Sequence, residues 1–288
     1  MSALDAAAAP EGLLLVDKPP GITSHDAVSL VRRALGTRKV GHAGTLDPMA
    51  TGLLLVGAGR ATRLLRFLGD LPKTYEGTMR LGVETTTLDA DGDVERVDAV
   101  EVTDEEVHRA MVALVGDSLQ TPPAYSAVKV GGRKLYEAAR AGEPLEAAAR
   151  PIHVAAFDPM SRHGDDVDFW VVCGSGTYVR VLVADVGAAL GCGAHLTRLR
   201  RTRVGPFAVA DARPPSDRGT PLPLEAAVAH LPRVTLDEEE TTAASHGRIL
   251  GPAGVHGPYG VYDGAGSLVG VYEDDGAKAA PLVILAAS

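Results

Sequence analysis

The spacing of apolar residues predicts both strands and helices in this chain. Residues 74–81 alternate strictly between apolar and polar side chains, which is the pattern of a strand with one buried face. After Thr23 the apolar residues recur at helical spacing, and Asp26 stands where the acid of a capping box belongs. We therefore expect a helix that begins at Thr23 and ends at Gly36.

Other segments show the same two patterns. We expect buried strands at residues 12–17, 53–56, 152–157 and 167–173. We expect further helices after Thr103 and over 177–190, and irregular loops at 41–52 and 84–98. Because strands and helices are intermixed without a regular strand–helix–strand rhythm, the sequence predicts an α+β fold with a mixed or antiparallel sheet.

A proline-rich stretch at 213–223 predicts a boundary between two domains. We expect residues 1–11 to form a disordered tail and residues 12–212 to form the main domain. Residues 225–288, with many glycines and short apolar runs, are expected to form a small C-terminal β domain.

The charge of the chain is unevenly distributed. The net charge is −9 at pH 7, but residues 84–106 alone carry −9 and residues 237–288 carry −6, so the rest of the chain carries +6. A phosphate backbone responds to the local field rather than to the total charge. The acidic total therefore does not exclude nucleic-acid binding.

Bulk features count against several other classes of protein. No apolar run is long enough to span a bilayer and the N-terminus lacks the basic flank of a signal peptide, so we expect a cytoplasmic protein. Cys173 and Cys192 lack CxxC spacing, which favours two reduced thiols over a zinc site or a disulfide. Nucleotide-binding glycine motifs are missing, and the acidic segment 89–93 lacks the closing glutamate of a calcium loop. We expect neither a metal nor a cofactor.

One aspartate in the Gly- and Pro-rich segment 41–52 is a candidate for catalysis. Pro48 pushes Asp47 towards an extended backbone, and nearby glycines let a ligand approach closely. Arg180 is a candidate partner, because a cation in the first turn of a helix opposes the helix dipole unless an anion lies nearby. Such a pair would lower the pKa of Asp47 and keep it ionised. The alternatives are a turn-forming aspartate and an arginine that is solvated or binds phosphate.

Two tyrosines and three basic clusters are compatible with a nucleic-acid substrate. Tyr75 and Tyr178 are among few aromatic residues, and either ring could stack on a base that has left its helix or could belong to the core. The basic clusters suit a phosphate backbone or a solvated surface: Arg60, Arg63 and Arg66; Lys129, Arg133 and Lys134; Arg198, Arg200, Arg201 and Arg203.

Six segments, in order, resemble the motifs of the TruB family of tRNA pseudouridine synthases. They are GLLLVDKPPGITSHDAV, KVGHAGTLDPMATGLL, KTYEGTMRLGVETTTLDADG, QTPPAYSAVKVGGRKLYEAAR, GSGTYVRVLVADVG and GCGAHLTRLRRTRVG. The resemblance extends from Gly12 to Gly205 and fades after about residue 210. It implies that residues 225–288 form a PUA-like module and that an insertion at about 125–150 grips RNA.

The resemblance also implies roles for individual residues. Asp47 corresponds to the catalytic aspartate of the family, Arg180 to the arginine that pairs with it, and Tyr75 to a tyrosine that stacks on the target base. The other substrate-binding positions are His42, which enters the space left by the base, and Tyr178, Leu199, Lys18 and Lys129.

The reaction implied is the isomerisation of the uridine at position 55 in the T-loop of tRNA. We expect a monomer that needs no cofactor and no guide RNA. The reaction is redox-neutral and one carboxylate suffices, whereas a glycosidase needs two. A guide-RNA-dependent subunit with the same motifs and a non-catalytic tRNA-binding protein are the alternatives.

Overall fold

The computed structural model of this protein describes residues 10–143, 145–217 and 219–285. Within these ranges the α-helices are Ser24–Leu35 (α1), Leu65–Leu68 (α2), Asp104–Val112 (α3), Leu135–Arg140 (α4), Val179–Leu190 (α5) and Glu238–Ser245 (α6). Short 3-10 helices lie at Gly59–Arg63, Val209–Asp211 and Leu224–Val228.

Seventeen strands lie in the same described ranges. They are Gly12–Lys18 (β1), Val40–Ala43 (β2), Thr51–Ala58 (β3), Lys73–Leu81 (β4), Val83–Thr85 (β5), Val94–Val97 (β6), Gly116–Gln120 (β7), Lys129–Val130 (β8), Arg133–Lys134 (β9), Arg150–His163 (β10), Asp166–Cys173 (β11), Ala194–Val204 (β12), Phe207–Ala208 (β13), Arg233–Thr235 (β14), Pro258–Tyr262 (β15), Leu268–Asp275 (β16) and Lys278–Ile284 (β17).

A nine-stranded sheet forms the centre of the molecule. Its order is β1-β3-β12-β4-β11-β10-β7, with β2 paired to β3 and β13 paired to β12. Neighbouring strands are antiparallel except β12 and β3, which run parallel through Arg200 and Arg201. The fold is therefore α+β with a mixed sheet, as the sequence predicts.

Helix α1 begins and ends where its sequence signals stand. The Thr23 hydroxyl accepts the Asp26 backbone N–H, and the Asp26 carboxylate accepts the Thr23 N–H, which completes the capping box. Gly36 adopts a left-handed conformation with φ of 67° and ends the helix. The apolar stripe of α1, including Val28 and Val31, packs on buried residues of β1 and β3.

The largest core cluster lies between the middle of the sheet and helices α3 and α5. Tyr75, Met79 and Leu81 contribute from β4, whose burial alternates as its sequence predicts. Val183 and Val186 contribute from α5. The middle of the sheet is therefore buried against these two helices.

Two segments expected to be irregular contain strands. Residues 40–43 form β2 and residue 51 begins β3, so only the stretch between them lacks regular structure. In the acidic segment, β5 and β6 form a hairpin. The sequence prediction was wrong for β6. All four of its residues are exposed, so neither face of this strand selects apolar side chains and the alternation typical of a half-buried strand does not arise.

The C-terminal residues form a second sheet that packs on the first part of the chain. The order of its strands is β14-β15-β16-β17. Tyr262 and Val271 from this sheet share one apolar cluster with Leu13 and Leu53. Because the two sheets share this cluster, the division of the chain into two domains stays a prediction. The predicted C-terminal β structure itself is confirmed.

Two arginines fasten the last strand to the body of the protein. Arg60 donates to the backbone oxygen of Leu285, and Arg63 donates to that of Ile284. Glu11, which the sequence assigns to a disordered tail, binds Arg60 through both carboxylate oxygens. The tail prediction was therefore wrong for Glu11, and residues 1–9 lie outside the described residues.

Candidate active site

The segment between β2 and β3 carries Asp47 and is fixed from several sides. The Ser24 hydroxyl, at the start of α1, donates to Leu46 O at 3.1 Å and accepts Leu46 N–H at 2.9 Å. The backbone N–H of Gly21 donates to Pro48 O at 2.9 Å. Because both neighbours of Asp47 are held by hydrogen bonds, its carboxylate projects from a constrained backbone.

Lys18 is one of the groups that hold this segment. Its side chain is fully buried, and Nζ donates to the backbone oxygens of Pro19, Ile22 and Pro48. An ammonium group has three protons, so these contacts use all of them. Burial lowers the pKa of Lys18 to about 8, and the nearby Asp47 carboxylate opposes that shift.

Arg180 and Asp47 are brought together across the site. The side chain of Arg180 is 5% exposed, and its Nη2 atom lies 3.5 Å from Asp47 Oδ2. Nη2 also donates to Tyr125 O at 2.6 Å, which fixes the orientation of the guanidinium. The sequence-predicted anion near the first turn of α5 is therefore present.

A second carboxylate shares Arg180, and sequence reasoning missed it. Asp89 is buried, and its Oδ2 atom lies 3.4 Å from Arg180 Nη1. Asp89 is itself held by the Thr87 hydroxyl at 2.5 Å and by the Asp91 backbone N–H at 3.2 Å. The preceding Leu88 has φ of 63°, a left-handed conformation that is uncommon for a residue other than glycine. The only local signal for this role is the acidic cluster at 89–93, which also resembles an incomplete calcium loop.

The net electrostatic effect on Asp47 is opposite to the sequence-based prediction. Desolvation raises the pKa of Asp47 most, Arg180 lowers it, and Asp89 raises it further. The pKa is therefore raised, because desolvation of the carboxylate and the nearby charge of Asp89 outweigh the attraction of Arg180. The Asp47 side chain remains 39% exposed, so one edge of it is open to a substrate.

Tyr75 and Leu199 form an apolar wall beside this carboxylate. They lie on the adjacent strands β4 and β12 and share a buried cluster with Leu46 and Ala50, which belong to the same loop as Asp47. Burial raises the pKa of Tyr75, and the nearby Arg201 guanidinium opposes that shift. The ring is therefore a neutral, largely apolar surface.

Tyr178 is positioned by a residue that the sequence analysis did not single out. The buried Gln120 side chain accepts the Tyr178 N–H at 2.8 Å and donates to Tyr178 O at 3.2 Å. The half-buried Tyr178 ring lies 5.9 Å from the Arg180 guanidinium carbon. Gln120 lies at the end of β7 and thus fixes the chain where it enters α5.

His42 lies on β2 and packs against His25 of α1. The two rings meet edge to face with centroids 5.4 Å apart. Burial and the charges of His25 and Arg201 lower the pKa of His42 to about 4, so its ring is neutral near pH 7.

The basic clusters differ in their access to solvent. Lys129 is exposed on the β8–β9 hairpin, and no contact between it and Asp47 is present among the described residues. Arg60 and Arg63 instead hold the C-terminal strand, and Arg201 is 1% exposed. The prediction that Arg201 contacts an RNA backbone was therefore wrong, because its side chain is buried. For Arg60 and Arg63, which keep part of their surface exposed, contact with RNA stays a prediction.

Three known protein families match successive parts of this chain and together span most of it. The family "TruB family pseudouridylate synthase (N terminal domain)" matches residues 32–179, and "tRNA pseudouridylate synthase B C-terminal domain" matches 180–214. The family "tRNA Pseudouridine synthase II, C terminal" matches 231–286. The expectation that the resemblance fades after about residue 210 was therefore wrong.

Relatives and solved structures agree with this assignment. Proteins called tRNA pseudouridine synthase B are 48% identical in Mycobacterium sp. (strain KMS), covering 95% of this chain and 96% of the relative, and 46% identical in Thermobifida fusca, covering 96% and 99%. A solved structure, the archaeal box H/ACA sRNP Nop10-Cbf5 complex, aligns with a TM-score of 0.74 at 26% identity, covering 96% of this chain and 86% of the other. The Cbf5-Nop10-Gar1 complex aligns with a TM-score of 0.71 at 29% identity, covering 94% and 83%.

The fold is that of a pseudouridine synthase, an enzyme of the isomerase class. The chain belongs to the TruB family of pseudouridylate synthases. Within the described residues, no helix is both long and apolar enough to cross a membrane.

Proposed function

We propose that this protein converts the uridine at position 55 in the T-loop of tRNA to pseudouridine, with Asp47 as the catalytic carboxylate. The observation that carries this proposal is the Asp47 carboxylate, which is partly open to solvent and paired with a buried Arg180. The names of relatives at 46–48% identity, tRNA pseudouridine synthase B, support tRNA as the substrate.

The reaction needs a group that can act at the sugar or the base without changing the oxidation state. The N1–C1′ bond breaks, the base turns, a bond forms between C5 and C1′, and the proton lost from C5 is balanced by one gained at N1. An ionised Asp47 can begin this sequence as a nucleophile at C1′ or C6, or as a base at C2′. Arg180 keeps the carboxylate oriented, and its charge favours the ionised form.

The apolar wall has a separate task in this proposal. Once the glycosidic bond breaks, the base must turn without leaving the pocket. Stacking on Tyr75 and contact with Leu199 and Tyr178 would retain it, because aromatic and apolar side chains hold a base that has left its helix. His42, neutral and beside the Asp47 loop, would occupy the space that the base vacates in the T-loop.

The RNA would reach the site along the exposed basic groups. Lys129, Arg133 and Lys134 line the β8–β9 hairpin, which is part of the insertion at about 125–150. Lys18, which is buried, would act through the Asp47 loop rather than through the RNA. We also propose that the protein acts as a monomer on the T-arm and needs no metal or cofactor.

Stand-alone action is favoured over dependence on a guide RNA. The relatives at 46–48% identity carry tRNA in their names, whereas the proteins solved within H/ACA complexes are 26–29% identical to this chain. The degree of similarity therefore points to tRNA modification without a guide.

The test is incubation of the purified protein alone with an unmodified tRNA transcript, followed by nucleoside analysis. We expect one pseudouridine per tRNA, none in a transcript with cytidine at position 55, and none with Asp47→Asn. Asn keeps the size of Asp but is neither a nucleophile nor a base. Modification by Asp47→Asn at the wild-type rate would refute the role of Asp47, and a requirement for added guide RNA would refute stand-alone action.

A further inference from the structure

Arg201 is a buried cation without an anionic partner among the described residues. Its side chain is 1% exposed, and no Asp or Glu oxygen in the described ranges lies within 4.0 Å of it. Burial of a charge is unfavourable unless its donors are used in hydrogen bonds. The hydrogen bonds that the Arg201 guanidinium donates to backbone oxygens therefore offset the cost of burying its charge.

Two of those contacts lie at opposite ends of the Asp47 segment. Nη2 donates to Gly44 O at 3.0 Å, three residues before Asp47, and Nε donates to Leu53 O at 2.6 Å, six residues after it. Because the donors of a guanidinium are planar and rigid, the two carbonyls are held at one fixed separation. Arg201 therefore closes the base of the loop that carries the proposed catalytic carboxylate.

Two glycines let the loop approach this arginine. A Cβ at Gly52 would lie 2.3 Å from Arg201 O, which is too close for any residue with a side chain. Gly44 has φ of 82°, and a Cβ there would lie 3.4 Å from Arg201 Nη1. The loop therefore meets Arg201 at both ends through residues without side chains.

The same arginine adjoins the proposed stacking residue. Arg201 on β12 is the backbone register partner of Tyr75 on β4, and its charge opposes the rise in the pKa of Tyr75 that burial causes. Arg201 thus joins the Asp47 loop, through its side chain, to the strand pair β4–β12 that carries Tyr75.

We infer that Arg201 is a positioning residue that sets the placement of Asp47 relative to Tyr75 by tying both ends of the Asp47 loop to strand β12. This inference rests on the proposed function, because it assumes that Asp47 and Tyr75 act on the same uridine. In this role Arg201 does not contact RNA, because its side chain is buried, whereas Arg198 on the same strand is exposed.

The test compares Arg201→Lys and Arg201→Gln with Arg162→Gln. Arg162 is a suitable control because its side chain is 18% exposed and also donates to a backbone oxygen, that of Val102, but at the β10–β11 turn. For each variant we would measure the single-turnover rate at saturating tRNA, the Kd for tRNA, and the midpoint of urea unfolding.

Both Arg201 variants are expected to lose about 10- to 100-fold in single-turnover rate, because small displacements of reacting groups have effects of this size. Lysine keeps the charge but cannot reach both carbonyls with a planar fork. The Kd for tRNA should stay close to that of the wild type. Arg162→Gln should lose stability while keeping its rate.

An Arg201→Lys variant that folds and reacts at the wild-type rate would overturn the inference. A loss in Kd with the rate at saturation unchanged would also overturn it, since it would make Arg201 an RNA contact. Failure of both Arg201 variants to fold would assign the residue to the stability of the core and equally overturn it. Failure of the proposed function is distinct, because it appears as inactivity of the wild type or activity of Asp47→Asn.

Discussion

The Nη1 atom of Arg180 lies 3.4 Å from Oδ2 of Asp89, and both side chains are buried. The other terminal nitrogen of the same guanidinium lies 3.5 Å from Asp47. One cation therefore serves two carboxylates, and the three groups together carry an excess of negative charge when all are ionised. The partner that orients Asp47 is itself oriented by a residue that does not belong to the Asp47 loop.

Replacement of Asp89 by Asn should impair both stability and catalysis. We expect a loss of about 1–3 kcal/mol in the free energy of unfolding, since a hydrogen bond to a charged group is lost in a buried site. The single-turnover rate should fall because Arg180 is no longer held in place from its far side. The measurements are urea unfolding and single-turnover modification, with Asp91→Asn, which does not contact Arg180 in the described residues, as the matched control. Equal effects of the two substitutions would show that Asp89 has no special role.

The raised pKa of Asp47 predicts a pH-dependent difference in stability between the wild type and Asp47→Asn. Below the unfolded pKa, about 3.9 for a free aspartate, the carboxyl is neutral in both states and the two proteins should be equally stable. As the pH rises through the raised folded pKa, the wild type alone must ionise a desolvated group, so Asp47→Asn should become the more stable protein.

This difference should stay below about 1 kcal/mol, because the Asp47 side chain is 39% exposed and water screens its charge. Unfolding free energies measured between about pH 4 and pH 8 check the prediction. If the wild type gained stability relative to Asp47→Asn as the pH rose, the pKa would be lowered, and Arg180 rather than desolvation would dominate. In the same range the single-turnover rate of the wild type should fall on acidification as Asp47 takes up a proton.

Tyr75 allows stacking to be separated from the hydroxyl group. Tyr75→Phe should retain binding of the base, whereas Tyr75→Leu should weaken it, because stacking of a base on an aromatic ring contributes about 1–3 kcal/mol. The readout is the single-turnover rate as a function of tRNA concentration. Equal performance of the Leu and Phe variants would assign Tyr75 to the core alone. Met79→Leu, on the same buried face of β4, is the control for effects of packing.

Salt dependence should distinguish exposed from internally bonded basic residues. Lys129→Gln, at an exposed position of the β8–β9 hairpin, should reduce the slope of log affinity against log salt by about 0.7–0.9, the value for one phosphate contact. Arg60→Gln should leave the slope unchanged, because that side chain already binds Glu11 and Leu285 O. A flatter slope for Arg60→Gln alone would make Arg60, rather than the β8–β9 hairpin, the contact with RNA.

Arg60 illustrates how position in the sequence can mislead. The three-residue spacing of Arg60, Arg63 and Arg66 predicts a basic face on a helix, but the segment is a 3-10 helix followed by one short α-helical turn. Its first two arginines donate to the carbonyls of Leu285 and Ile284, just after β17 and at its end, more than two hundred residues later in the chain. No local pattern reports a partner at that separation.

The sequence by itself determined the elements whose signals are local. The capping box of α1, the alternation of β4 and the glycine at the end of α1 depend on neighbours within a few residues, and each was predicted correctly. The ordered motifs also specified the family, and they indicated Asp47 and Arg180 as a pair. Their proximity could be anticipated from the sequence, because a cation in the first turn of a helix opposes the helix dipole unless an anion lies nearby.

Only the tertiary structure decided which charges are shared, buried or exposed. Asp89 joins Arg180 from 91 positions away, and the pKa of Asp47 is raised mainly by desolvation, with a smaller contribution from Asp89. Arg201 and Arg198 look alike in the sequence, yet β12 turns one towards the Asp47 loop and the other towards solvent. The physical reason is that desolvation and Coulomb interactions depend on distance through space and on the atoms that exclude water. Both are set only when the strands pack together.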